Sequence, residues 1–162
     1  MKKLILSLAL MGLFTEMVSA ADSNFGLGIV LGDPSGISAR ISTGPVNSIN
    51  MIVGYDANHD YAWHHNECCR DGGMLYVGGD YLWYNYNLIR VSQGRLPLYY
   101  GPGINATIAN DYSSIGVRGV VGLEYQFANA PFDVFLEIGP GINVIPNTWV
   151  NISGGLGARF FF

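Results

Sequence analysis

Charge is scarce in this sequence. Charged residues make up 12 % of its 162 positions, against the quarter or more that a soluble surface carries. Lysine occurs only as Lys2 and Lys3, so every later cation is an arginine: Arg40, Arg70, Arg90, Arg95, Arg118 or Arg159. With no basic stripe, the chain is not expected to bind nucleic acid. Beyond Phe14 there is also no apolar run approaching the ~20 residues of a membrane-spanning helix. Histidine and cysteine are confined to one stretch, as His59, His64, His65, Cys68 and Cys69. A nucleophilic enzyme needs a base beside its nucleophile. No histidine falls on a predicted strand, so no enzyme is expected. Gly101-Pro102-Gly103 precedes no helix and carries no nucleotide signal.

What is present begins with an export signal. Met1-Lys2-Lys3 is a positive start, Leu4 to Phe14 is almost wholly apolar, and Val18-Ser19-Ala20 supplies small residues for cleavage. The expected division is a signal peptide over 1–20, read by the general secretory pathway, and a single domain over 21–162. Removing the two lysines and Glu16 from eight basic and twelve acidic residues leaves six and eleven, a formal net charge of −5. Few charges beside abundant Gly, Tyr, Phe and Asn fit a chain whose solvent is partly lipid.

The rest of the sequence alternates in short segments broken by turn residues, the pattern of a transmembrane barrel. The segments fall at 24–32, 37–42, 49–55, 74–87, 96–109, 115–127, 132–143 and 149–162. In the first, Phe25, Leu27, Ile29 and Leu31 oppose Asn24, Gly26 and Gly28, and Gly32-Asp33-Pro34-Ser35-Gly36 is a turn. In the seventh, Phe132, Val134, Leu136, Ile138 and Ile142 oppose Asp133, Glu137, Gly139, Gly141 and Asn143. Pro102 cannot donate to a ladder, so a bulge or an end to pairing is expected there. The segments match the ~9–11 residues of a tilted membrane strand, and their even number returns both ends to one side. The fold expected is all-β: an eight-stranded, antiparallel, up-and-down transmembrane barrel.

One face is apolar in every segment. The other is mostly Gly, Ser and Asn with about one charge per strand, too small and too weakly charged for a wetted exterior. It suits the cramped lumen of an eight-stranded barrel, where side chains fill the middle. Aromatics add an independent sign. If the first segment rises from the periplasm, one rim collects Trp83, Tyr84, Tyr86, Tyr99, Tyr100, Tyr125, Phe127, Phe132, Phe160 and Phe162, as an interfacial girdle should. The long 56–73 loop falls at the opposite rim. The 87–94 connection is longer than turns on its side usually are.

The charges expected inside are Arg40, Asp80, Arg118, Glu124, Glu137 and Arg159, three of each sign. Buried charges persist only when paired. Arg118, Glu137 and Arg159 are expected to meet, with Arg40 and Asp80 in the same network, as a neutral plug. A gated pore or a buried acid–base pair is the alternative. In the loop, His64, His65, Cys68 and Cys69 have the donors for zinc or copper. Adjacent cysteines oxidised after export are the simpler reading.

Several stretches carry a resemblance: Leu31-Gly32-Asp33-Pro34-Ser35-Gly36, Asp80-Tyr81-Leu82-Trp83, Leu96-Pro97-Leu98-Tyr99-Tyr100-Gly101 and Gly122-Leu123-Glu124-Tyr125. Ala128-Asn129-Ala130-Pro131, Asp133-Val134-Phe135-Leu136-Glu137 and the final Gly154-Gly155-Leu156-Gly157-Ala158-Arg159-Phe160-Phe161-Phe162 complete it. Together they resemble the small bacterial outer-membrane barrels typified by the OmpA transmembrane domain and OmpX, within an uncharacterised subgroup. The resemblance implies an outer-membrane location and no catalytic residues. Phe160 and Phe162 are similar to the terminal signal that the barrel-assembly machinery reads in this class. The expected role is structural or surface-interacting, with a small pore or carrier for apolar solutes as the alternative. Outer-membrane lipid, the assembly machinery and periplasmic chaperones are the expected partners. No cofactor is expected, and the chain is expected to be a monomer. The His/Cys loop departs from the family.

Overall fold

Alternation with a period of two becomes eight strands in the computed structural model, which describes residues 24–56, 74–109 and 113–162. The expected signal peptide and the loop bearing His59, His64, His65, Cys68 and Cys69 lie outside the described residues. The strands are β1 (Phe25–Asp33), β2 (Ser35–Ser42), β3 (Asn47–Asp56), β4 (Met74–Asn85), β5 (Leu98–Ile108), β6 (Ser113–Gln126), β7 (Phe132–Ile145) and β8 (Trp149–Phe161). Each pairs antiparallel with the next, and β1 pairs with β8 from Gly26↔Phe161 to Asp33↔Gly154. The sheet is closed and has no free edge.

The side chains divide as the alternation requires. Along β1, Leu31 is 64 % exposed and its neighbour Val30 2 %; along β7, Leu136 is 58 % exposed and Phe135 1 %. β6 alternates without a break from Ser113 to Glu124. The outer wall is thus a continuous sheet of Leu, Ile and Val, and the lumen takes the opposite parity. Glycines make that lumen passable for large rings. A Cβ on Gly122 would fall within the ring of Tyr99, and one on Gly157 within that of Phe135.

Two details differ from the alternation alone. The expected five-residue turn after β1 shrinks to Pro34, because Ser35 already pairs with Tyr55 of β3. The Ser35 hydroxyl donates to the Gly32 carbonyl at 2.7 Å and accepts from the Gly32 N–H at 3.0 Å, bracing the corner. At Pro102 there is no bulge. Pairing to β4 lapses between Asp80↔Gly103 and Trp83↔Tyr100 while the register is kept, and pairing to β6 is intact through Pro102↔Gly119. The proline nitrogen therefore faces β4. Pro140 does the same between β7 and β6, with β8 still paired to it. The irregularity in the sheet is elsewhere: Ile115↔Ile145 is followed by Gly116↔Asn143, which leaves Val144 as the extra residue.

The aromatic rim is real but smaller than expected. Ring contacts run Tyr81–Trp83 (5.1 Å), Trp83–Tyr100 (6.2 Å), Tyr125–Phe127 (4.8 Å), Phe127–Phe132 (5.7 Å), Phe160–Phe162 (5.1 Å) and Phe25–Phe162 (6.3 Å). All lie at the strand ends that meet at one rim. Tyr84 and Tyr99 are not in this girdle. They point inward, stack on each other at 5.3 Å and join a buried lumen cluster with Val30, Ile52, Tyr76, Leu82, Val120 and Phe135. Tyr86 stacks on Tyr84 at 6.1 Å, half-buried at the lumen mouth.

Candidate functional site in the barrel interior

All six charges expected inside are buried there, in two clusters at different heights. The cluster nearer the aromatic rim is built on Glu124 of β6, which has no exposed surface. It accepts from Arg40 Nη1, reaching across the lumen from β2, and from Arg159 Nη2 of β8 at 2.7 Å. Gln126 Nε2 donates to it at 2.7 Å and the Tyr84 hydroxyl at 3.3 Å. Asp133 stands directly opposite Arg159 in the β7–β8 register and accepts from Arg159 Nε at 3.2 Å. Arg40 Nη1 is 3.5 Å from the same carboxylate. The two guanidinium planes also lie against rings, Arg40 4.2 Å from the centre of Tyr84 and Arg159 4.0 Å from that of Phe135.

The second cluster sits on one rung of the sheet. Asp80 of β4 pairs with Gly103 of β5, and Gly103 with Arg118 of β6. Because Gly103 has no side chain, the flanking two meet above it: Arg118 Nε donates to Asp80 Oδ1 at 2.8 Å and Nη2 to Oδ2 at 2.5 Å. Two parallel bonds of this kind are the strongest guanidinium–carboxylate geometry. A Cβ at residue 103 would run into that carboxylate. Glu137 Oε1 is 3.9 Å from Arg118 Nη2, and its other oxygen accepts from the Tyr99 hydroxyl at 2.9 Å. Tyr99, stacked on Tyr84, links the two clusters.

The partition corrects the expected network. Arg118 and Glu137 share a cluster, but Arg159 belongs with Arg40 and Glu124, and Arg40 and Asp80 are in different clusters. Asp133, placed on the inner face but left out of the charge set, is fully buried and a full member. The signal was in its phase: Asp133, Phe135 and Glu137 share one side of β7. With Asp133 the set holds three arginines and four carboxylates, so it is not three of each sign. Phe160 and Phe162, expected as an assembly signal, lie on the outer face.

These side chains leave little room. The enclosed space beside Asp33, Tyr76, Asn105, Arg118, Trp149 and Ser153 is about 20 Å³, enough for about one water. The larger depression, about 760 Å³, lies over the outer wall between Gly79, Tyr81, Pro102, Gly119, Pro140 and Val150. Among the described residues no group of three or more His, Cys, Asp or Glu side chains is placed to hold a metal ion.

No protein-family model and no curated protein matches the sequence. Among solved structures, the chain is similar to the N-terminal β-barrel domain of Pseudomonas aeruginosa OprF. The TM-score is 0.55 at 14 % identity, over 86 % of this chain and 98 % of that one. The chain has the fold of that domain. The likeness covers all but a small part of the chain, as the resemblance to small OmpA-like barrels implied. At this identity the OprF domain speaks for the barrel, and the interior clusters stand on their own geometry.

Proposed function

We propose that the chain is a bacterial outer-membrane barrel, exported through a cleaved signal at 1–20 and sealed by its interior ion pairs. It serves the structure of the envelope or contacts made by its outer loops. The observation that carries this is the pairing of an all-apolar outer wall with a lumen packed with charge. In water that arrangement exposes Leu, Ile and Val from every strand, far beyond the few hundred Å² of apolar patch a soluble monomer tolerates. In a bilayer it satisfies both faces. The barrel also leaves no unpaired sheet edge in lipid. The likeness to an OprF barrel domain supports the same location. Outer-membrane lipid, the barrel-assembly machinery acting on Phe160 and Phe162, and periplasmic chaperones are its partners, and we assign it no catalytic reaction.

The alternative, a small pore or carrier for apolar solutes, needs a continuous passage. The lumen is instead crossed by Arg40–Glu124–Arg159 and Arg118–Asp80, and the wide depression is outside. Planar-bilayer recording of the refolded chain tests the choice. The plug predicts a baseline without steady conductance at neutral pH. A stable ohmic conductance would establish the pore instead.

A further inference from the structure

Side-chain charge is distributed unevenly among the connectors of this barrel. The connectors at the aromatic rim, 43–46, 86–97 and 127–131, contain no acidic residue and two basic ones, Arg90 and Arg95. In sequence, the stretches 57–73 and 110–112, outside the described residues, carry Asp60, Glu67, Asp71 and Asp111 against Arg70. Arg40, Arg118 and Arg159 are all spent inside. Arg90 and Arg95 are therefore the exposed cations among the described residues, and neither makes an ion pair there.

Their segment is built, not loose. Arg95 extends the β5–β6 ladder: its N–H donates to the Gln126 carbonyl at 3.0 Å, and the Gln126 N–H returns to the Arg95 carbonyl at 2.8 Å. The Tyr125 hydroxyl donates to the Gln93 carbonyl at 3.1 Å. Gly94, at φ +71°, makes the left-handed step between these anchors. The Arg95 guanidinium lies 5.9 Å from the Tyr86 ring. Ahead of these anchors, Leu88 is 59 % exposed and Val91 37 %. Apolar side chains and uncompensated arginines thus share one short segment, tied at Gln93 to Tyr125.

We propose that this rim is a docking surface for anionic phospholipid headgroups, with Arg90 and Arg95 as the phosphate ligands and Leu88 and Val91 set into the acyl boundary. The proposal rests on the membrane reading above. Charge complementarity selects the occupant. A guanidinium matches a phosphate's oxygens with paired donors, arginine keeps its stem in the apolar layer while its head reaches the phosphate, and no carboxylate on these connectors competes. Each arginine near an anionic bilayer surface is worth about fivefold in binding.

Native mass spectrometry of the refolded full chain in micelles doped with equal phosphatidylglycerol and phosphatidylcholine tests this. Heat-modifiable gel migration, run first, reports folding. A chain that never shows the shift in micelles or vesicles overturns the membrane reading and this proposal with it. Given the shift, phosphatidylglycerol adducts should exceed phosphatidylcholine adducts, and the Arg90→Gln/Arg95→Gln variant should bind both equally. Should Arg95→Gln disturb folding through Tyr86, Arg90→Gln alone should still lower the preference about fivefold. A folded wild type without lipid preference, or a preference unchanged in the folded variants, overturns the proposal alone. So does complete loss of the adducts to inorganic phosphate at matched ionic strength, which would mark a site for free anions.

Discussion

At Glu124, two guanidinium groups converge on one carboxylate that has no exposed surface. Removing a partner from such a group strands buried charge, which costs about 3–5 kcal/mol. Glu124→Ala should therefore lower the unfolding free energy of the lipid-folded chain by that amount in urea titrations. Asp133→Asn should cost clearly less, because Asp133 holds Arg159 at 3.2 Å and Arg40 at 3.5 Å beside the shorter bonds to Glu124. Gly103→Ala makes a different test. Its Cβ enters the Asp80 carboxylate, and such overpacking costs about 1–3 kcal/mol. The cost should shrink in an Asp80→Ala background, where the collision is gone, so a double-mutant cycle should be strongly non-additive. Equal costs in both backgrounds would remove Gly103 from the account of the rung.

At the level of the strands, Pro102 and Pro140 each take one donor out of the wall. Pro102→Ala should restore an N–H facing β4. A newly protected amide at residue 102 in hydrogen exchange, and about 0.5–1.5 kcal/mol of added stability, are the expected results. On the outer face, Leu136→Arg should cost about 2–4 kcal/mol if that side chain lies at mid-bilayer. In a water-facing position the same change would be nearly neutral. The strands themselves were legible in the sequence, because a half-buried wall writes its phase into every second residue and a slip of one would invert the whole segment. Their charges were legible as inward for the same reason. Which charges meet was not, since contact across the lumen depends on register and stagger between strands, and spacing along the chain carries neither. The misassigned aromatics have a local cause. Trp83-Tyr84 and Tyr99-Tyr100 put large rings on both parities at once, so composition suggests a girdle for all of them and only phase sends Tyr84 and Tyr99 inside.

For the molecule as a whole, closure through β1–β8 turns eight individually marginal strands into one wall with a greasy outside and a salted interior. The proposed export signal over 1–20 and the proposed lipid-docking rim both build on that plan. All of it depends on which way the two faces point. Spin labels placed one at a time along residues 134–138 of β7, in a Cys68→Ser/Cys69→Ser background refolded into vesicles, measure this directly. Labels at Val134, Leu136 and Ile138 should collide with lipid-dissolved oxygen and be shielded from a water-soluble relaxant, while Phe135 and Glu137 should be shielded from both. Free access of the water-soluble relaxant to Val134, Leu136 and Ile138, or a folded chain that remains in solution beside the vesicles, would contradict the account.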